Sequence, residues 1–133
     1  MSRKHSTAPS IDRIESTYDL YTRGMRLLED GDHHAAAVSL QRVRDLEPDK
    51  TSVREALGRA LFGAHQYREA AEEFAAVVER APTNHYALFC LGRSLQQQGR
   101  HAEARRPLAL ACSLRPDRAD YRTYRDRAAR RSA

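Results

Sequence analysis

The chain has 133 residues, of which 41% are hydrophobic and 31% charged, and its formal net charge is +5. This length suits a single domain, and a mean hydropathy of -0.76 is typical of a polar, well-solvated protein. No apolar run approaches the roughly 18 residues of a membrane-spanning helix. The basic N-terminus lacks a following apolar segment, so we expect neither a signal peptide nor an anchor, and a cytoplasmic location. Residues 1–10 are predicted to be a disordered tail, and residues 11–133 one domain.

A spacing of 34 residues organises the rest of the chain. When the sequence is written in registers of that length, six columns align, of which five hold the same or a similar residue in every register and the sixth holds Leu20, Arg54 and Leu88. The five columns are Gly24, Gly58 and Gly92; Pro48, Pro82 and Pro116; Ala36, Ala70 and Ala104; Leu40, Phe74 and Leu108; and Leu27, Leu61 and Leu95. A Gly inside a helix costs about 1 kcal/mol relative to Ala. Its threefold recurrence therefore indicates places where two helices approach too closely for a Cβ atom.

Each register contains two helical segments joined by a turn of two residues, which makes the two helices antiparallel neighbours. The predicted pairs are 17–30 with 33–46, 51–64 with 67–80, and 85–98 with 101–114, and a seventh helix follows at about 117–131. The pattern predicts an all-α fold, a solenoid of three antiparallel helix pairs with a C-terminal capping helix.

Two local signals refine the bounds of the paired helices. Ser52 and Glu55 have the spacing of a capping box, which would start the third helix. Pro107 lies inside the segment 101–114, where it removes a helical hydrogen bond. We therefore expect a kink at Pro107 in preference to a late start of that helix.

The final helix is predicted to be a cover for the last pair. Asp117 is a candidate N-cap. Tyr121, Tyr124 and Ala128 fall on one helical face, as expected of a terminal cap in a repeat protein.

These columns resemble the tetratricopeptide repeat (TPR). The second register carries the best match, with Leu57, Gly58, Leu61, Tyr67, Ala70, Phe74 and Pro82. The first register departs from the pattern at Arg23 and Val43, and none has the family's Trp. The resemblance covers residues 17–116 and implies repeats at about 17–50, 51–84 and 85–118, as in small stand-alone bacterial proteins with three repeats and a capping helix.

The sequence offers little for catalysis. It has no phosphate-binding Gly-rich loop, nucleophile elbow or zinc-type His pair, so we predict no enzyme, no catalytic residue, no metal and no cofactor. The adjacent acids Glu72 and Glu73 are expected on the solvated face of an outer helix. Cys90 and Cys112 are expected to be reduced and to act as small apolar residues.

The resemblance implies a concave surface, lined by the first helix of every pair, where such proteins bind partners. Its positions here are Tyr18, Tyr21, Met25, Leu28, Ser52, Glu55, Arg59, Phe62, Tyr86, Phe89, Arg93 and Gln96. We predict that all of these except Leu28, Ser52 and Gln96 form a peptide-binding groove. Aromatic residues and Arg often carry binding energy. The alternatives are that the tyrosines Tyr18 and Tyr86 pack between helix pairs and that Arg59 pairs with Glu55.

These residues predict a partner protein whose peptide or helix carries apolar and acidic side chains, bound by an adaptor or chaperone-like module. One TPR subclass clamps a C-terminal carboxylate with Lys, Asn and Arg. The corresponding positions here are Tyr21, Met25, Ala56, Tyr86 and Cys90, so that clamp is absent. Bacterial translocator chaperones are similar in architecture only.

The charge distribution supports a rival hypothesis. Residues 101–133 hold 9 basic and 4 acidic side chains, which equals the whole net charge of +5. Arg118, Arg122 and Arg125 lie along one side of the final helix, where they could contact nucleic acid or an acidic partner. Self-association through an end of the stack is a third possibility, and no membrane contact is expected.

Overall fold

A computed structural model describes residues 17–133, and this part of the chain is helical throughout, with no β-strand. Residues 17–29 form α1. It is followed by α2 (His33–Leu46), α3 (Thr51–Gly63), α4 (Tyr67–Arg80), α5 (His85–Gln97), α6 (His101–Leu114) and α7 (Ala119–Arg131). These bounds agree with the predicted ones to within two residues. The predicted tail, residues 1–10, lies outside the described residues.

The helices stack as a solenoid. From α2 onward each helix packs against the next, α3 also contacts α5, and α5 contacts α7, whereas the backbones of α2, α4 and α6 do not approach one another closely. The stack therefore curves with its odd-numbered helices on the concave side. The predicted all-α solenoid is confirmed. None of the helices in this part of the chain combines the length and the apolar character needed to cross a bilayer.

Close contact between a glycine and a large side chain joins the two helices of each pair. A Cβ atom added to Gly58 would lie 2.8 Å from the Phe74 ring. The equivalent atoms at Gly24 and Gly92 would lie 2.7 Å from Leu40 and 2.4 Å from Leu108. The glycine column thus reflects direct helix-to-helix packing, and each facing residue is almost fully buried.

The turn within each pair also repeats. Gly31, His65 and Gly99 stand 34 residues apart and have φ values of +82°, +64° and +76°. This left-handed conformation suits glycine, and His65 adopts it in the second pair without that freedom. The turns keep one geometry although their sequences differ.

Two predicted helix caps are wrong. The N-cap of α3 is Lys50, so Ser52 already lies inside the helix, and no side-chain hydrogen bond caps it. The N-cap of α7 is Arg118. The carboxylate of Asp117 instead accepts hydrogen bonds from Arg115 at 2.7 and 2.9 Å, and this pairing lowers the pKa of Asp117 to about 2.

Pro107 lies within an uninterrupted α6, which begins at His101. The alternative of a late helix start is therefore excluded, and a kink at Pro107 stays a prediction. The side chain is buried, so it serves as a core residue of the third pair.

Glu73 was expected on a solvated helix face, and this expectation is wrong because the residue is buried. It is only 5% exposed, and its carboxylate accepts hydrogen bonds from Arg44 and, at 3.0 Å, from Arg54. Arg54 occupies a column that holds Leu20 and Leu88 in the other repeats. The second repeat therefore replaces an apolar contact with an ion-paired network that links α2, α3 and α4.

This network predicts a large difference between two adjacent acids. Glu73→Gln leaves two largely buried guanidinium groups without their counter-charge and should lower the free energy of unfolding by about 2 kcal/mol or more. Glu72→Gln, at a side chain that is 64% exposed, should change it by less than about 0.5 kcal/mol. Urea unfolding followed by circular dichroism measures both, and equal effects would contradict a structural role of the pair.

The close approach at Gly58 makes a second prediction. Gly58→Ala gains helix propensity, but its Cβ atom would overlap the Phe74 ring, so the free energy of unfolding should fall by about 1 to 3 kcal/mol. Ser52→Ala, at an exposed position of the same helix, is the control and should stay within about 0.5 kcal/mol. A stabilised Gly58→Ala protein would show that the packing tolerates the methyl group.

Candidate functional site

A cavity of about 320 Å³ lies on the concave side between α3 and α5. Its lining consists of Leu28, His33, Arg59, Phe62, Gly63, Phe74, Tyr86, Phe89, Cys90 and Arg93. Five of the predicted groove residues come together there, namely Arg59, Phe62, Tyr86, Phe89 and Arg93. The cavity is thus mainly apolar and aromatic, with two cationic side chains.

The two arginines keep their donors available. Neither Arg59 nor Arg93 forms a salt bridge or a side-chain hydrogen bond with another described residue. Glu55, one turn before Arg59 on α3, makes no ion pair with it among residues 17–133. The predicted alternative, internal neutralisation of Arg59, is therefore absent from this part of the chain.

Arg93 is nevertheless held in place. Its guanidinium carbon lies 4.0 Å from the ring centroid of Tyr124 on α7 and 5.5 Å from that of Phe62 on α3. Contacts of this kind contribute about 0.5 to 2 kcal/mol and leave the edge of the guanidinium plane free to donate hydrogen bonds.

The wall between the arginines is uncharged. Tyr86 and Cys90 lie one turn apart on α5. Burial raises the pKa of Tyr86, and it raises the pKa of the Cys90 thiol to about 12. Both groups are therefore protonated at neutral pH, and of the residues in 17–133 that line the cavity, Arg59 and Arg93 carry the permanent charges.

Phe89 shows a mixed role. Its ring stacks on Tyr121 at a centroid distance of 4.5 Å and meets Tyr124 edge to face at 5.6 Å. Phe89 therefore packs against α7 as well as lining the cavity. Gln96, also expected on the concave surface, is buried and donates a hydrogen bond to the backbone oxygen of Tyr124 at 2.8 Å.

The predicted N-terminal end of the groove is separate. Tyr18, Tyr21 and Met25 line a different, shallower depression on α1. Tyr18 is 74% exposed, while Tyr21 and Met25 are half-buried against the core. Glu55 is half-buried and does not line the cavity. The structure thus divides the predicted groove into an arginine-bearing cavity and a tyrosine-lined surface one repeat away.

Residues 55–119 match the family model described as tetratricopeptide repeat. These residues therefore belong to the tetratricopeptide repeat (TPR) family. Its fold is similar to that of a MamA double mutant from Desulfovibrio magneticus RS-1, with a TM-score of 0.82 and 24% identity over 87% of this chain. MamA from strain MSR-1 gives a TM-score of 0.76 and 25% identity over 82% of this chain. The second TPR domain of human RPAP3, in complex with the HSP70 peptide SGPTIEEVD, gives a TM-score of 0.77 and 15% identity over 85% of this chain.

This TPR chain covers 65% and 63% of the two MamA chains, less than two thirds of their length, and 94% of the RPAP3 domain. No curated protein sequence matches it.

The basic residues of α7 are engaged locally in this TPR protein. Arg118 pairs with Asp120 at 2.8 Å and lies over the Tyr121 ring at 4.3 Å. Arg122 donates a hydrogen bond to the backbone oxygen of Pro116, and Arg125 pairs with Asp126 at 2.9 Å. The two ion pairs partly neutralise Arg118 and Arg125, whereas the bond to a backbone carbonyl leaves the charge of Arg122 uncompensated.

Several residues of the site were not predicted: His33, Gly63, Phe74, Cys90 and, beside Arg93, Tyr124. Gly63 carried a usable signal, because it is a helical glycine outside the repeat columns. A Cβ atom there would lie 2.3 Å from the His33 ring, so Gly63 makes room for that ring at the cavity. Cys90 follows Tyr86 by one turn and shares its face.

The raised pKa of Cys90 predicts slow alkylation. Because the thiolate is the nucleophile, native Cys90 should react with iodoacetamide at pH 7.5 at least about tenfold more slowly than in the urea-unfolded chain. Its rate should still rise at pH 10, since the titration is incomplete there. Peptide mass spectrometry follows Cys90 and the buried Cys112 separately. Equal native and unfolded rates at Cys90 would contradict the burial described above.

Proposed function

We propose that this TPR protein binds a segment of a partner protein on its concave side. The bound segment places a large apolar side chain in the cavity between α3 and α5, and an acidic group of the segment meets Arg59 and Arg93. The observation that carries the proposal is the combination in one apolar cavity of two guanidinium groups that have no hydrogen-bonding partner among residues 17–133.

The size and chemistry of the cavity support a peptide side chain as the occupant. A volume of about 320 Å³ is at the lower end of the range for ligand sites, enough for one or two large side chains. The lining supplies aromatic contact area at low entropic cost, and Arg forms bidentate hydrogen bonds with carboxylates. A similar fold in the human RPAP3 domain is in complex with a peptide that contains two Glu and one Asp, which supports an acidic segment.

The chain acts as an adaptor or chaperone-like module that holds its partner without covalent chemistry. The uncharged wall formed by Tyr86 and Cys90 requires apolar groups in the middle of the segment, between its acidic groups. The net charge of +5 accelerates encounter with an acidic partner and makes the association rate fall with salt. The tyrosine-lined surface of α1 is a second contact region for a longer segment.

Charge reversal on opposite faces tests this proposal. Arg59→Glu with Arg93→Glu replaces both cavity cations. Arg42→Glu with Arg105→Glu changes the net charge equally at exposed positions of the outer helices α2 and α6. The amount of partner protein captured from the native cytosol should fall about tenfold or more with the Arg59→Glu, Arg93→Glu variant. It should stay at the wild-type level with the Arg42→Glu, Arg105→Glu variant.

Quantitative mass spectrometry of the captured proteins is the measurement, after circular dichroism has shown that both variants fold. Equal loss in both variants would mean that capture depends on net charge alone. Retention in both would remove the concave arginines from the binding site.

A further inference from the structure

The ring of Tyr124 lies beside the groove although it belongs to the capping helix. Tyr124 is 4.0 Å from the guanidinium carbon of Arg93, closer than Phe62 at 5.5 Å. Arg127 also lies over this ring, at 4.8 Å. The orientation of Arg93 therefore depends on a residue outside the three helix pairs.

The position of the Tyr124 ring is set by the docking of α7. Tyr121 is fully buried beneath that helix, and its hydroxyl lies within hydrogen-bond distance, 2.8 Å, of His85 Nδ1. Ala128 is fully buried two turns further on. Gln96 donates its 2.8 Å hydrogen bond to the backbone oxygen of Tyr124 itself. The position of the Tyr124 ring is thus fixed by the buried residues Tyr121 and Ala128 before and after it on α7, and by the hydrogen bond that Gln96 makes with its backbone.

This arrangement prepares Arg93 for an anion. A long, flexible side chain normally loses conformational freedom when it forms a bidentate pair, and a guanidinium plane that is already stacked loses less. Among residues 17–133 no acceptor occupies the hydrogen-bond donors of Arg93, so stacking orients the group without consuming its donors. Phe62 and Tyr124 contribute from α3 and α7, on either side of the helix that carries Arg93.

We propose that Tyr124 is a positioning residue for Arg93, and that the capping helix is therefore one wall of the partner-binding site as well as a cover for the last helix pair. Tyr124 raises affinity for an acidic segment by holding the guanidinium where the carboxylate meets it. This inference rests on the proposed function, because it requires that the cavity binds an acidic, apolar peptide.

The test uses the full chain and a fluorescein-labelled ten-residue peptide of Phe, Leu and Glu, with a second peptide in which Gln replaces every Glu. Tyr124→Leu removes the aromatic face and should weaken binding of the acidic peptide by about fivefold to tenfold. Tyr124→Phe keeps the ring and should stay within about twofold. Thr123→Ala, at an exposed position next to Tyr124 on the same helix, is the matched control and should leave the affinity within about twofold of wild type.

Two further measurements separate positioning from a purely structural role. The Arg93 Nε–Hε signal in ¹⁵N-labelled protein should be shifted by the ring in wild type and in Tyr124→Phe, and lose that shift in Tyr124→Leu. Arg93→Lys keeps the charge but cannot stack as a plane. It should weaken acidic-peptide binding to a similar extent, and adding Tyr124→Leu to it should have no further effect.

The outcomes distinguish the two proposals. If wild type binds the acidic peptide no better than the Gln peptide, the proposed function fails and this inference fails with it. If wild type prefers the acidic peptide but Tyr124→Leu binds as tightly as Tyr124→Phe, only the positioning role is overturned. Should Tyr124→Leu fail to fold by circular dichroism, Arg93→Lys decides. Affinity equal to that of wild type would overturn the role of a stacked guanidinium.

Discussion

The close contact between a helical glycine and a large apolar side chain is the constraint on which the rest of the structure depends. At Gly58 the backbone of α3 approaches the ring of Phe74 so closely that a methyl group would overlap it. The contact recurs every 34 residues and fixes how near the two helices of each pair lie. Because each pair is built alike, the odd-numbered helices come together on one side, and their remaining faces form the cavity. Arg59, next to Gly58, faces that side as a direct consequence.

The architecture could be predicted because it arises from repeated local constraints. Gly and Pro columns and short turns identify helices without knowledge of any tertiary contact. The site was only partly predictable, since the same concave columns hold residues in different environments. Arg59 and Phe62 line the cavity from α3, whereas Phe89 lines it and also stacks on Tyr121 of α7. That helix does not repeat, so the repeat pattern carries no information about how it docks or about the Tyr124 ring.

The errors at Glu73 and Asp117 share a physical cause, which is competition among charged partners, distant in sequence for Glu73 and two residues away for Asp117. Glu73 reads as a surface acid in its own helix, yet Arg44 and Arg54 from two other helices draw it into the interior. Asp117 has the properties of an N-cap, but its carboxylate accepts hydrogen bonds from Arg115 instead of capping α7. Pattern rules describe the options of a residue within its own helix or turn. Such rules do not show which charged partner a side chain will pair with, and for Glu73 both partners come near only in the folded chain.

The central claim is that the concave cavity, rather than the outer surface, meets the partner. Site-specific photo-crosslinking tests it most directly, with p-benzoylphenylalanine placed at Phe62 in the cavity or at exposed Ala75 on the outer helix α4. The account predicts that irradiation in native cytosol gives a discrete crosslinked protein from position 62 that is absent from position 75, and that the crosslink disappears when Arg59 and Arg93 are both reversed to Glu. The same crosslinked protein from position 75, or a crosslink at position 62 that survives the charge reversal, would contradict it.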